Sequence, residues 1–180
     1  GIHISDVGHF IKKGSPIDQE AVKRASSIYT PDRKISMIPP GLAEGLCSLR
    51  AGELRPAIST FVEIGGFGNV TDVEVVPSLI TVQRQLSYYD VNTVTEEDEE
   101  IRMLYDIAKQ FRQKRLTQGA LQITLPEINI WVDQEGNPSV SKINRESPGR
   151  MLVAELMIMA NWLMAKLLAE KGIPAIFRSQ

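Results

Sequence analysis

The sequence predicts an α+β fold in a single domain, with a mixed sheet and helices packed against it. Three observations carry this reading. Apolar residues alternate over Ile58 to Ile64 and again over Val70 to Val76, and Gly65-Gly66-Phe67-Gly68-Asn69 joins the two runs. That pattern marks two strands and a hairpin turn. The period then changes to helical spacing at Ile101, Leu104, Tyr105, Ala108 and Phe111. A long apolar helix is expected from about Arg150 to Lys171, entered through Pro148-Gly149 and closed by Gly172. A chain of 180 residues can bury a real core around such elements.

Taken in order, Ile2 and Ile4 alternate with polar neighbours and read as a short strand with no turn or cap before it. Gly14-Ser15-Pro16 is a loop. A helix follows, with Ser15 as N-cap, Pro16 in the first turn and Asp18 in the capping-box position, running to about Ser27. Pro31, Pro39 and Pro40 make the next stretch irregular, with one helical turn expected at Leu42 to Leu46. Between the two hairpin strands, no Gly-Lys-Ser/Thr follows the glycine cluster, so a turn is read there and not a phosphate loop. Thr95-Glu96-Glu97-Asp98 forms a capping box. The acids from Glu96 to Glu100 suit a helix N-terminus, Lys114 and Arg115 suit its far end, and Gly119 suits the residue just past it. Ile128 to Val132 and Ser139 to Ile143 flank Gln134-Glu135-Gly136-Asn137 as a second hairpin.

The hydrophobic share of 43% and the charged share of 23% are ordinary for a soluble globular chain. No apolar run is read as reaching the length of a membrane span, and Gly1-Ile2-His3-Ile4 does not open a signal peptide. One cysteine, Cys47, excludes an internal disulfide and fits a reducing cytoplasm. No Cys/His spacing suggests zinc. The net charge of −2 gives no support to nucleic-acid binding. Residues 61–100 are strongly acidic and the flanking stretches mildly basic, so any nucleic-acid affinity must come from local contacts or further domains.

The segment SIYTPDRKISMIPPGLAEGLCSLRAGELRP, Ser27 to Pro56, combines an aromatic-Pro turn, Met-Ile-Pro-Pro and Leu46-Cys47-Ser48-Leu49-Arg50. It closely resembles the catalytic domain of the ribonuclease II (RNB) family, which digests single-stranded RNA from its 3′ end. GIHISDVGHFIKKGSPID, RQLSYYDVN and GRMLVAELMIMANWLMAKLLAEKGIPAIFRSQ match in the same order, so the resemblance covers nearly the whole chain. It implies a processive 3′→5′ exoribonuclease parent that releases nucleoside 5′-monophosphates with magnesium. Phosphodiester hydrolysis of this kind uses metal ions to generate hydroxide and neutralise the phosphate, held by closely spaced carboxylates. The resemblance places the family's Asp-x-Asp-Asp cluster before Gly1 and its arginine-rich segment after Gln180. The expectation is therefore a single partial RNB catalytic domain over residues 1–180, truncated at both ends, with no complete active site and no metal ligands of its own. Its partners would be single-stranded RNA and the missing remainder of its own catalytic domain, with no membrane. Apolar surface left uncovered would favour self-association. The competing reading is an RNB-like scaffold that binds RNA or protein without hydrolysis.

Four residues carry the expected site. By the resemblance, Tyr29 matches the aromatic that stacks on the 3′-terminal bases; its plain alternative is a half-buried tyrosine closing a Pro turn. Stacking grips RNA without reading sequence, at roughly 1–3 kcal/mol per base. Tyr89 matches a tyrosine near the RNA sugar, where a phenol can meet the 2′-hydroxyl; the alternative is a core tyrosine, and Tyr88 is its neighbour. Glu155 sits on an almost wholly apolar helix, where a carboxylate needs solvent, a basic partner or a ligand. The family usually has two adjacent glutamates here, the first on the ribose. This chain has Ala154 in that place, so Glu155 either takes over the contact or pairs with an arginine. Asp6 could support the metal shell or cap a turn with Gly8. Ile123 stands where the family often has a phenylalanine, which would make the base clamp one-sided and about 1 kcal/mol weaker. Cys47 reads as a small buried residue. Arg50 and Arg55 are candidates for phosphate contacts, with Glu53 or Glu44 as alternative partners for Arg50.

Overall fold

The computed structural model describes residues 1–94, 97–123, 125, 127–133 and 135–177. In chain order the elements are β1 (Ile2–Ser5), α1 (Val7–Phe10), α2 (Pro16–Arg24), β2 (Ile28–Tyr29), β3 (Lys34–Ile35), a π-helical turn at Gly41–Leu46, β4 (Leu54–Ile64), a 3₁₀ turn at Gly66–Gly68, β5 (Val70–Thr81), α3 (Tyr88–Val94), α4 (Glu99–Thr117), β6 (Glu127–Val132), β7 (Pro138–Ile143) and α5 (Pro148–Glu170). The main sheet has the order β1-β4-β5, and β2-β3 and β6-β7 are separate hairpins. All ladders are antiparallel; an isolated bridge between Ala51 and Val82 is parallel. The fold is α+β.

Period-two alternation decides which face of the sheet is buried. Val62, Ile64, Val70 and Val73, joined by Ile2 of β1, pack on Phe111 of α4 and on Met159 and Leu163 of α5. Full burial of such side chains is worth roughly 1.5–3 kcal/mol each. A second cluster, Ala108, Met151 and Leu152 with Tyr105 and Leu156, continues the α4–α5 contact. The opposite face is polar: His3 Nδ1 lies 2.6 Å from Ser59 Oγ, which in turn bonds Ser78 across the strands. At Gly149 an added Cβ would lie 3.0 Å from the Tyr88 carbonyl oxygen and 3.1 Å from Val91 Cβ. The missing side chain there lets α3 rest on the start of α5, and the Gly149 N–H donates to Asn92 Oδ1 at 2.9 Å.

Several boundaries differ from expectation for physical reasons. α2 is capped by Ser15, whose hydroxyl accepts from the Asp18 N–H, but ends at Arg24 and not near Ser27 because Ala25 takes a left-handed conformation, φ 57°. β4 begins at Leu54, before Ile58, and β5 continues to Thr81, each running through a proline. Pro56 lies just beyond the β1 ladder and accepts from the Asp6 N–H, while Pro77 is on an edge strand, where a missing donor is tolerated. Thr95 and Glu96 of the expected capping box lie outside the described residues, as do Gln134 and residues 178–180; the observed cap of α4 is Asp98, which accepts from the N–H groups of Glu100 and Ile101. Gly119 and Gly172 take positive φ just past α4 and α5, as expected. Helix α5 is long and apolar enough, by length and composition, to cross a membrane, which corrects the expectation that no segment is. Here it is a core helix, burying Met151, Leu152, Met159, Ala160 and Leu163.

Candidate nucleic-acid interface

Tyr29 stands on the short β2-β3 hairpin, 72% exposed, opposite Lys34, whose ammonium lies 5.6 Å from the ring centre. It does not close the Pro turn as a half-buried residue. The turn is closed instead by Thr30, whose N–H and hydroxyl both donate to the Arg33 carbonyl. The Arg24 guanidinium ties the hairpin to α2 by donating to the Ser36 carbonyl at 3.1 Å. An aromatic face is thus held open to solvent on an anchored loop.

Tyr89 is 77% exposed on α3, so it is not a core tyrosine either. Ser87 and Asp90 build this helix: the Ser87 N–H and hydroxyl donate to Asp90 Oδ2, and the Asp90 N–H donates back to Ser87 Oγ. This is the reciprocal capping box in its Ser-x-x-Asp form. These bonds, the side-chain one first, hold the Asp90 carboxyl below its ordinary range. Tyr88 turns the other way and takes the Arg150 guanidinium at 4.5 Å from its ring centre.

Glu155 is buried at 5% exposure and pairs with Arg115 of α4. Arg115 Nη2 donates to Oε1 at 2.7 Å and to Oε2 at 2.8 Å, and Nε donates to Oε2 at 3.1 Å. The arginine also lies over Phe111, 5.7 Å from its ring centre. Both carboxylate oxygens are therefore engaged by the basic partner. Within α4, Arg112 bonds both Gln122 and Glu146, and Gln122 donates to Glu146, bracing the loop that carries Ile123. Ile123 is exposed. Contacts thus join α3 to α5 and α4 to α5, gathering Tyr89 and Glu155 on adjoining helices, while Tyr29 stands on a hairpin anchored to α2.

The remaining candidates have local tasks. Asp6 caps α1, accepting from the His9 N–H at 3.1 Å. Cys47 is buried, and that burial pushes its thiol up from the ordinary value. Arg50 meets neither carboxylate named for it; it donates to the Glu44 carbonyl at 2.6 Å, while Glu53 pairs with Arg55. Asp98 is held by Arg84 at 2.7 Å, and that bond, followed by the Ile101 N–H, lowers its pKa. Among the described residues no three His, Cys, Asp or Glu side chains gather as a metal site. With Asp6 spent on a cap and Asp98 on an arginine, these two carboxylates do not fit a magnesium centre.

Residues 1–180 match the RNB domain. The chain belongs to the RNB family. It is 33% identical over 189 residues to ribonuclease R of Thermotoga maritima, covering 99% of this chain and 27% of that protein. The chain thus spans about a quarter of the length of such RNB relatives. Among solved structures it is similar to Mycoplasma genitalium RNase R in complex with double-stranded RNA, with TM-score 0.89 and 24% identity over 95% of this chain and 32% of that one. It is also similar to yeast Ssd1, a pseudonuclease, with TM-score 0.73 and 19% identity over 94% of this chain and 21% of that one. At these identities the structures establish the RNB fold. Sequence reasoning missed α3, whose signal was the Ser87-x-x-Asp90 spacing. It also missed the Tyr88–Arg150 stack, for which residues far apart in sequence offer no local signal.

Proposed function

We propose that this chain is the RNA-holding part of an RNB-family 3′→5′ exoribonuclease that degrades single-stranded RNA processively to nucleoside 5′-monophosphates. The observation that carries the reading is the exposure of Tyr29 and Tyr89, each in a motif matched to the family, each on an element fixed by its own hydrogen bonds. A bare aromatic face offers a stacking platform that accepts any base. Magnesium would be held in the parent enzyme by carboxylates outside this chain. On this reading the chain is a partial catalytic domain. It works in the cytoplasm, away from membranes, and the remainder of its own domain covers its open apolar surface.

The test is a decay assay with a 5′-labelled single-stranded RNA and magnesium, run beside Tyr29→Ala. The expected result is no shortening by either protein. A ladder descending to a short limit product, with the limit shifted in the variant, would put the metal site inside this chain and overturn the partial-site reading. A second reading, a non-hydrolytic RNB scaffold, is favoured by Ala154 and Ile123, which replace a ribose contact and a base clamp. The sequence encoded immediately before Gly1 separates the two: an Asp-x-Asp-Asp cluster supports the nuclease, and its absence the scaffold.

A further inference from the structure

Arginines in this structure spend their donors on the protein. Apart from Arg102 and Arg150, every described arginine pairs with a carboxylate or donates to a backbone carbonyl. Arg102 is exposed, so water serves it. Arg150 is half-buried; among the described residues its side chain makes no hydrogen bond or ion pair, and its one ring contact is Tyr88. A guanidinium carries five donors in a rigid planar fork, and a phosphate or carboxylate matches that fork with two parallel bonds. The Tyr88 ring holds the guanidinium carbon 4.5 Å from its centre without consuming a donor.

We propose that Arg150, held against the Tyr88 ring, binds a phosphodiester group of single-stranded RNA beside Tyr89. This rests on the RNA-holding reading above. The neighbouring aromatic selects RNA over a free anion. Successive helix residues point about 100° apart, so Tyr88 faces Arg150 while Tyr89 stands 77% exposed at the same corner. A nucleotide presents a sugar and a phosphate at neighbouring positions, which suits a phenol and a guanidinium at the starts of two contacting helices, α3 and α5. The corner is fixed by the Ser87–Asp90 cap and by the seating of α3 on Gly149. Arg150 is the phosphate-binding residue, and Tyr88 is a positioning residue that acts through it.

The experiment is fluorescence anisotropy of the 180-residue chain with a 5′-labelled oligoadenylate, titrated across a series of salt concentrations. Arg150→Gln keeps most of the stem; it is expected to weaken binding several-fold and to flatten the slope of log affinity on log salt by about 0.7, the value of one single-strand phosphate contact. Arg150→Lys keeps the charge, so it restores the slope but only part of the affinity. Tyr88→Leu weakens binding with the slope intact. Arg102→Gln is the control and changes neither. Circular dichroism melts of each variant separate a lost contact from a lost fold. If Arg150→Gln binds with wild-type affinity and slope while Tyr29→Ala binds more weakly, Arg150 is idle and the RNA-holding reading stands. If the wild-type chain binds no RNA, both fall. If Arg150→Gln melts lower yet binds unchanged, the arginine serves packing and the proposal is overturned.

Discussion

Removing the Arg115 guanidinium would leave the Glu155 carboxylate buried with none of the three hydrogen bonds that now hold it. The cost of such an orphaned charge exceeds the net worth of the pair. Desolvation has already been incurred on folding and only the attraction is lost. Arg115→Met is therefore expected to destabilise the chain by about 3–5 kcal/mol at neutral pH, read as a lower urea midpoint. The double variant Arg115→Met, Glu155→Leu should recover most of that loss, since an apolar pair of similar volume suits the neighbouring Phe111. A single variant with an unchanged midpoint would mean that water reaches Glu155, and the carboxylate would then be open to a ribose. As the pair stands, a ribose hydroxyl would have to share oxygens that Arg115 already holds.

Helix α4 tests what a cap does. Asp98 accepts from two first-turn N–H groups and from Arg84, and these partners favour its ionised form. Its folded pKa thus lies below the ordinary 3.8, with the Arg84 bond the larger cause. The sign follows: the unfolded chain binds the proton more readily, so stability rises with pH through this window. The contribution is present above 3.8 and is lost as pH falls through the folded value. Asp98→Asn can still cap but has no charge to lose. The gap in melting midpoint between wild type and variant should close on acidification from neutral pH to well below 3.8. A gap that stays constant would sink the assignment. Legibility follows the same division between local and distant partners. Ser15, the Gly65–Asn69 turn, Gly119 and Gly172 were readable because a cap or a left-handed turn is made within a few residues. The end of α2 at Ala25 was not, since alanine carries no signature of a left-handed conformation. Nor were the extensions of β4 and β5 through Pro56 and Pro77, which depend on which neighbour each proline lacks. At the site, the motif positions of Tyr29 and Tyr89 were legible but their exposure was not. For Glu155 the sequence posed the need for a partner, and only the packing of α4 on α5 named Arg115.

At the scale of the whole molecule, the sheet, α3 and α4 cover only one side of α5. Val153, Met157, Ile158 and Trp162 flank its uncovered side, each between 37% and 44% exposed. At about 100° per residue, Val153 and Met157 share one flank and Ile158 and Trp162 the other, where the Trp162 ring also lies 6.4 Å from that of Phe111. Glu155 is turned inward to Arg115, so the helix surface between these flanks carries no charge between Arg150 and Lys166. An uncharged apolar surface of this kind marks an interaction surface. Its size sets the strength. A tryptophan offers at most about 150–250 Å², so four side chains less than half exposed fall short of the roughly 800 Å² per partner in a stable interface. The 180-residue chain alone should therefore associate weakly. Sedimentation equilibrium should show a weight-average mass that rises above 20.0 kDa with concentration. Met157→Glu, at a residue 40% exposed and in neither core cluster, should hold the monomer mass at every concentration, with the helical signal unchanged. A wild-type chain that stays monomeric at high concentration would show that this surface is too small to hold two copies together.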